Sequence, residues 1–306
     1  MEKLWVNTID ANDKAYMIDY SELDYDFAKD FFEKLGPDYK MGACSVIHLG
    51  NFIGRKLDWF YNYDGVFVVR TPDTTGVAGG YSAASVQQME NGLTEDIKKI
   101  IPFFLQDGFN KYGLFAELNV VPNIGNKETH PEHQTDRICS LMIVRYILDH
   151  YKTIEEAIEG LQHIQIYNPK MILESDYETH FFLAQDDRSV VLEIVDGQIV
   201  VVDSNKMTNF HQYNVTFNED GSVYTPVDAK YGRLPSSQGI EPHGDGLERW
   251  NIMNAGVVNC KEDMTALMKS IDYSQAYTLP ADETFWYSEF VGKSPDTGLD
   301  ITVDTP

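Results

Sequence analysis

The sequence predicts an α+β fold of two antiparallel sheets packed face to face, with helices gathered on the outer faces. Three observations carry this. Strand-like and helix-like runs come in blocks (strands, helices, strands, helices, strands), unlike the strict alternation of a parallel doubly wound sheet. At 306 residues, 43% hydrophobic and 24% charged, the chain can bury a core without disulfide staples. No internal repeat or coiled-coil heptad competes with that reading.

The elements follow in order. Residues 21–35 read as a short helix: Ser21 can cap it, Asp24 sits in the first turn, and Leu23, Phe27, Phe31 and Leu35 recur at helical spacing until Gly36-Pro37. From Cys44 the pattern turns to strands at 44–49, 52–57 and 66–71, separated by Gly50-Asn51 and Asp64-Gly65. Residues 72–82 are Gly-rich and unpatterned, lack the Lys of a phosphate cradle, and read as a rim loop. A helix over 94–105 and a buried strand over 112–121 come next. The strongest helical signals are 135–151, where Ile138, Leu141, Met142, Tyr146 and Leu148 recur, and 153–163, opened by the capping box of Thr153 and Glu156. Strands at 180–185, 190–195 and 198–203 follow, the last two joined by the hairpin signal Asp196-Gly197. After an irregular stretch to Gly246, helices are expected over 247–253 and 263–270, then strands at 276–279, 285–291 and 299–303.

Composition narrows the partners. A net charge of −24 would repel a phosphate backbone, and no Lys/Arg stripe offsets it, so no nucleic acid is expected. No apolar run approaches ~18 residues, so no membrane span is expected, and residues 1–10 lack a secretory signal pattern. Cys44, Cys139 and Cys260 form an odd set without framework spacing, which points to a reducing compartment, with the cytoplasm as default. Cys139 and Cys260 read as structural. The sequence calls for no metal and no cofactor, and leaves a homo-oligomer open.

The chemistry centres on Cys44, which follows the small Gly42-Ala43 junction and precedes the pair Arg55 and Asp58. A nucleophilic cysteine needs thiolate character and a base. His48 shares a strand face with it but lies four residues along, too far to serve easily. The other candidate base is the α-amine of Cys44 itself, set free if the Ala43–Cys44 bond is cut. Such an amine titrates near about 7.7–8.0 and is held next to the thiol by covalent geometry. Residues 1–43 then read either as an ordinary N-terminal segment or as one removed by that cut.

The run Cys44-Ser45 followed by Asn51-Phe52-Ile53-Gly54-Arg55-Lys56-Leu57-Asp58-Trp59 resembles the start of choloylglycine hydrolase-type linear amide C–N hydrolases. Gly113 to Asn119, Val202 to Asn209 and Glu248-Arg249-Trp250 resemble later segments of that family, in family order. The resemblance implies an N-terminal-nucleophile hydrolase with a four-layer αββα sandwich, matching the element order. It implies a small-molecule N-acyl amide substrate of bile-salt, penicillin V or N-acyl lipid or amino-acid type. It further implies that Cys44 attacks the carbonyl, Asp58 orients the Cys44 amine, and Arg55 and Arg249 supply positive charge. Asn119 and Asn209 are implied as oxyanion donors, and Trp59, Phe60 and Tyr61 as substrate contacts. Because 43 residues precede Cys44, it implies autoproteolysis between Ala43 and Cys44, giving a cleaved pro-segment 1–43 and a catalytic domain 44–306. An acyltransferase using the same acyl-enzyme, or an unprocessed binding protein, remains compatible with these residues.

Overall fold

The computed structural model describes residues 5–10, 15–20, 22–34, 43–58, 65–71, 80–86, 94–122, 125, 128–129, 136–169, 177–213, 215, 217, 219, 221, 246, 250 and 253–254. Its elements begin with β1 (Trp5–Asp10), β2 (Ala15–Asp19), α1 (Tyr25–Lys34), β3 (Ala43–Leu49), β4 (Phe52–Asp58), β5 (Gly65–Thr71) and β6 (Gly80–Val86). They continue with α2 (Glu95–Ile100), β7 (Asp107–Asn110), β8 (Phe115–Pro122), β9 (Arg137–Cys139), α3 (Ile143–His150), α4 (Ile154–Leu161) and β10 (Gln165–Tyr167). Last come β11 (Tyr177–Gln185), β12 (Arg188–Val195), β13 (Gln198–Asp203) and β14 (Lys206–Met207).

Contacts divide the chain into two compact units. The first comprises Met1–Tyr39, Tyr63–Asn119 and Gly125–Asp203; the second comprises Lys40–Asn62, Val120–Ile124 and Ser204–Pro306. The residues before Cys44 are therefore not set apart, since the first 39 belong with the larger body.

The first unit is organised on a nine-stranded sheet in the order β1-β2-β5-β6-β7-β8-β11-β12-β13. Its ladders of defined register are antiparallel except that of β2 with β5, which is parallel and pairs Ala15–Asp19 with Val66–Arg70. The β12–β13 hairpin forms where Asp196-Gly197 predicts it, with φ of 49° and 76° at the two turn residues, the left-handed geometry that matches strand twist. On one face of this sheet Leu161 of α4 and Ile166 pack with Phe181, Leu192, Ile194 and Ile199. The other face carries buried polar groups: His180 lies across from Glu193, with Nδ1 3.4 Å from Oε1. The rings of Phe115 and Phe182 meet at 6.4 Å, and strand alternation puts Glu117 and Asn119 on that face too.

Residues 1–34 are tied into this unit by more than the ladder. Asp24 caps α1, its Oδ1 accepting from Phe27 N–H at 3.0 Å; the expected cap Ser21 lies outside the described residues. Ala28 and Phe32 are buried, with the Phe32 ring 6.0 Å from that of Phe104. The Tyr25 hydroxyl donates to Asp149 Oδ2 at 2.6 Å, and Asp149 is itself ion-paired with the buried Arg145 one helical turn earlier. Lys29 pairs with Asp136 at 2.8 Å, and Arg137 with Glu33 at 2.9 Å.

Several expectations need correction. Strands β1 and β2 were not anticipated. Residues 80–86 are a strand paired with β5, so the rim loop expected over 72–82 is strand from Gly80 on, and 72–79 lie outside the described residues. The helix expected over 135–151 starts only at Ile143. Residues Arg137–Cys139 pair parallel with Gln165–Tyr167, and a single 3₁₀ turn, Ser140–Met142, makes the junction. Ile138 and Cys139 suit a strand as well as a helix, and the available partner decides. Likewise the helix over 94–105 stops at Ile100. The 153–163 helix holds: Thr153 Oγ1 accepts from Glu156 N–H at 3.1 Å, although Glu156 reaches back to Lys152 N–H rather than to that of Thr153. The expected helix 263–270 and strands after 276 lie outside the described residues. Among the described residues, no helix is long and apolar enough to cross a membrane.

The second unit contains the three-stranded antiparallel sheet β14-β3-β4. Trp250 is buried against Phe210 and Phe217, with ring centroids 5.5 and 5.3 Å apart, and donates its indole N–H to Gly221 O at 3.0 Å.

Replacing Tyr25 by Phe should cost about 1–3 kcal/mol in urea denaturation at neutral pH, because Asp149 loses a buried donor. Burial, then the Asp149 carboxylate, hold the Tyr25 phenol well above its ordinary value in the fold. Its contribution is therefore complete below an unfolded value near about 10 and is lost as pH rises above it, so the two proteins should converge in alkali. No difference at pH 7 would show that this hydroxyl does not secure the segment.

Candidate active site

Cys44 lies one residue into β3, and the geometry around it follows from strand register. Gly50, at φ 57°, allows the two-residue connection between Leu49 and Phe52 that folds β4 back on β3. That register sets Cys44 opposite Leu57 and Val46 opposite Arg55. Cys44 and Val46 share a face, so Arg55 comes onto the Cys44 side. Its Nη2 lies 4.0 Å from Cys44 Sγ. A guanidinium at that distance favours negative charge on sulfur, the state a thiol nucleophile needs.

On the other edge of β3 runs β14, with Lys206 opposite Ile47 and Met207 opposite Val46. His48 N–H donates to Asn205 O at 2.8 Å and extends the contact. This short strand delivers Asn209 to the Cys44 nitrogen: Cys44 N–H donates to Asn209 Oδ1 at 2.7 Å. Asn209 Nδ2 in turn donates to Val120 O at 2.7 Å. Asn209 is fully buried and Cys44 is 4% exposed, so both bonds form away from solvent. They also fix which way the amide faces.

The remaining expected site residues fall as follows. The Asp58 backbone pairs with that of Ala43, beside the Ala43–Cys44 bond. The Asp58 side chain lies outside the described residues, as do Arg249, Trp59, Phe60 and Tyr61. Asn119 ends the first unit; oriented to satisfy its surroundings, its amide nitrogen donates to Glu117 Oε1 at 2.8 Å and Leu118 O at 3.1 Å. His48 is buried, but four residues along an extended strand separate it from Cys44 by about 13 Å.

Sequence reasoning missed two contributors, Val120 and Gly246, and gave no role to a third, Thr208, which it placed only within the segment ending at Asn209. The Val120 carbonyl orients Asn209, and backbone carbonyls leave no trace in residue type. Thr208 Oγ1 donates to Gly246 O at 2.6 Å. Gly246 lies directly against the Asn209 backbone. The repeated glycines of Gly244-Asp245-Gly246 are the visible signal, one that in the sequence alone reads as loop composition.

On this α+β scaffold a cysteine at a strand start thus has its nitrogen held by an asparagine and its sulfur beside a guanidinium, the surroundings that a thiol nucleophile requires. The chain belongs to the linear amide C–N hydrolases, choloylglycine hydrolase family, whose profile matches residues 45–233, more than half of the sequence. Members of this family hydrolyse C–N bonds of linear amides. The two largely antiparallel sheets with their helices bear out the α+β class. Among solved structures, two variants of the conjugated bile acid hydrolase from Clostridium perfringens are similar at 14% and 13% identity, with TM-scores of 0.48 and 0.44. The alignments cover 75% and 78% of this chain and 78% and 73% of those chains. Penicillin V acylase from Agrobacterium tumefaciens is similar at 14% identity and TM-score 0.40, over 88% of this chain and 72% of that one. No curated protein matches by sequence.

Cys139 provides an internal contrast. It is fully buried, and burial pushes its thiol up to about 12. Brief treatment of the folded protein with iodoacetamide at pH 8 should therefore label Cys44 well ahead of Cys139, as read by peptide mass. Equal labelling would remove the case for an activated Cys44.

Proposed function

We propose that this protein is a cysteine amidohydrolase that cleaves the C–N bond of linear N-acyl amides through an acyl-enzyme on Cys44. The observation that carries this reading is the placement of the Cys44 nitrogen, 2.7 Å from Asn209 Oδ1, with Arg55 beside the sulfur. The family match supports it by beginning one residue after Cys44.

The nitrogen becomes a base only once freed. Cys44 Sγ attacks the Ala43 carbonyl; the peptide C–N bond breaks as a C–S bond forms, and the departing nitrogen takes a proton to become the Cys44 α-amine. Water then hydrolyses the thioester, leaving a carboxylate on Ala43 and a free thiol. The Gly42-Ala43 junction puts no bulk in the way, and pairing of Ala43 with Asp58 holds the bond in extended geometry.

Substrate turnover repeats the same steps. The amine accepts the thiol proton, the thiolate attacks the substrate carbonyl, and the ammonium returns the proton to the leaving amine as its C–N bond breaks. Water hydrolyses the resulting thioester. Asn209 Oδ1 holds the amine toward the sulfur, and the Arg55 guanidinium stabilises the thiolate. Asp58 as an acceptor for the amine, Arg249 as a second positive charge and Asn119 as an oxyanion donor enter through the resemblance, as do Trp59, Phe60 and Tyr61 as walls for an apolar acyl group. Bile-salt, penicillin V and N-acyl lipid or amino-acid amides are the substrate classes to assay.

In this reading residues 1–43 stay bound after the cut. Support comes from β2 in the interior of the nine-stranded sheet, from Phe32 in the core and from Tyr25 on the buried Asp149.

Intact mass under denaturing conditions should show a 43-residue fragment and a chain beginning at Cys44, while native gel filtration gives one species containing both. A chain that stays uncut, yet hydrolyses N-acyl amides, would sink the amine-as-base mechanism. Cys44→Ala should abolish cleavage and hydrolysis together. In processed enzyme, Asn209→Ala should lower kcat on the order of a hundredfold or more, in the range lost with a mispositioned proton-transfer group; an unchanged kcat would remove Asn209 from the site.

A further inference from the structure

We propose that Gly246, latched by Thr208, is a positioning residue for the nucleophile: it sets the backbone of Asn209 and thereby the oxygen that receives the Cys44 nitrogen. This rests on reading Cys44 as the nucleophile.

The argument starts from what the sheet leaves undone. The β14 ladder ends at Met207, opposite Val46, two residues short of Asn209. Register alone does not fix the Asn209 backbone, yet its side chain makes two hydrogen bonds of 2.7 Å in opposite directions. Such bonds weaken steeply when either end moves by a few tenths of an ångström. Something other than the ladder must hold this residue.

Gly246 is against it. A Cβ built on Gly246 would lie 2.7 Å from the Asn209 carbonyl carbon, 2.8 Å from its nitrogen and 2.9 Å from its oxygen. All three are main-chain atoms, which cannot rotate aside as a side-chain tip can. Any larger residue at 246 therefore displaces the backbone that carries the Asn209 amide. Glycine is not required here for conformational freedom. Gly246 is helical, its φ is outside the left-handed region, and in a helix glycine costs roughly 1 kcal/mol against alanine. The requirement is closeness.

The two segments are also tied. Thr208 Oγ1 donates to Gly246 O at 2.6 Å, from a hydroxyl fully buried beside the residue it serves. Contact from one side and the Thr208 bond from the neighbouring residue leave Asn209 one place to sit. With Oδ1 and Nδ2 both engaged, the Cys44 nitrogen inherits that position.

The test uses the full chain carrying Gly246→Ala or Thr208→Val, with three readouts: the pH profile of Cys44 alkylation by iodoacetamide, the extent of Ala43–Cys44 cleavage by mass, and kcat and KM on a chromogenic N-acyl amide. Thermal melts confirm folding. Gly246→Ala should lower kcat at least tenfold with KM within twofold, and displace the alkylation midpoint by about half a unit or more, because the Cys44 nitrogen loses its fixed acceptor. Thr208→Val should move in the same direction, and Thr208→Ser, which keeps the hydroxyl, should recover most of the loss. A folded Gly246→Ala protein with wild-type kcat and alkylation profile overturns the proposal. Should that variant fail to fold, the Thr208 pair decides: identical kcat and profiles for Val and Ser overturn it. A wild-type protein inactive on every N-acyl amide would sink the hydrolase reading instead, and the alkylation profiles would still judge the positioning of Cys44.

Discussion

The Asn209 side-chain amide is the joint on which the candidate site depends. One end accepts from the Cys44 nitrogen and the other donates to the Val120 carbonyl, both at 2.7 Å and both buried. An amide suits this task, since it carries an acceptor and a donor at fixed angles. A carboxylate would set charge against the Val120 carbonyl, and a leucine would leave two buried backbone groups unmatched, at about 1–3 kcal/mol each. The cysteine backbone, the chain just past Met207 and a carbonyl from a distant part of the sequence thus meet at one side chain. The same fixed orientation turns the Asn209 oxygen toward the Cys44 nitrogen, where a positive charge would be stabilised.

Charge around the site is arranged by face. Arg55 reaches the sulfur from the Cys44 side of the hairpin. Lys206, paired with Ile47, belongs to the other face; its ammonium lies 4.7 Å over the Trp250 ring and reaches Asn254. One-residue alternation along β3 is therefore enough to send one cation toward the thiol and the other into packing.

Much of this was legible in the sequence, for identifiable reasons. Cys44, Arg55 and Asn209 stood out because their chemistry is carried by side chains in a run of matching motifs. The hairpin at Asp196-Gly197 was legible because left-handed turns select those residue types, and Gly50-Asn51 was legible as a break between strands. What escaped was set by partners rather than by local pattern. Residues 137–139 read as helix until β10 is there to pair with them. Strand β2, with Asp19 and Tyr20 closing a mixed run, carries little alternation, and its place in the sheet comes from β5 some fifty positions later. Val120 acts through a carbonyl, which leaves no mark in residue type, and Gly246 through the lack of a side chain, which in the sequence reads as loop composition.

That parallel ladder has a consequence for the order of events in the life of the molecule. Strands β2 and β5 lie on opposite sides of the Ala43–Cys44 bond, so in the uncut chain their pairing is a loop closure within one polymer. If the bond is cut as proposed, regaining the same ladder from the unfolded state becomes an encounter between two molecules, and depends on their concentration. A protein that cuts itself only after folding would cross a one-way threshold. Its native state would then endure by slow unfolding, with no easy route of return for a chain that had once come apart.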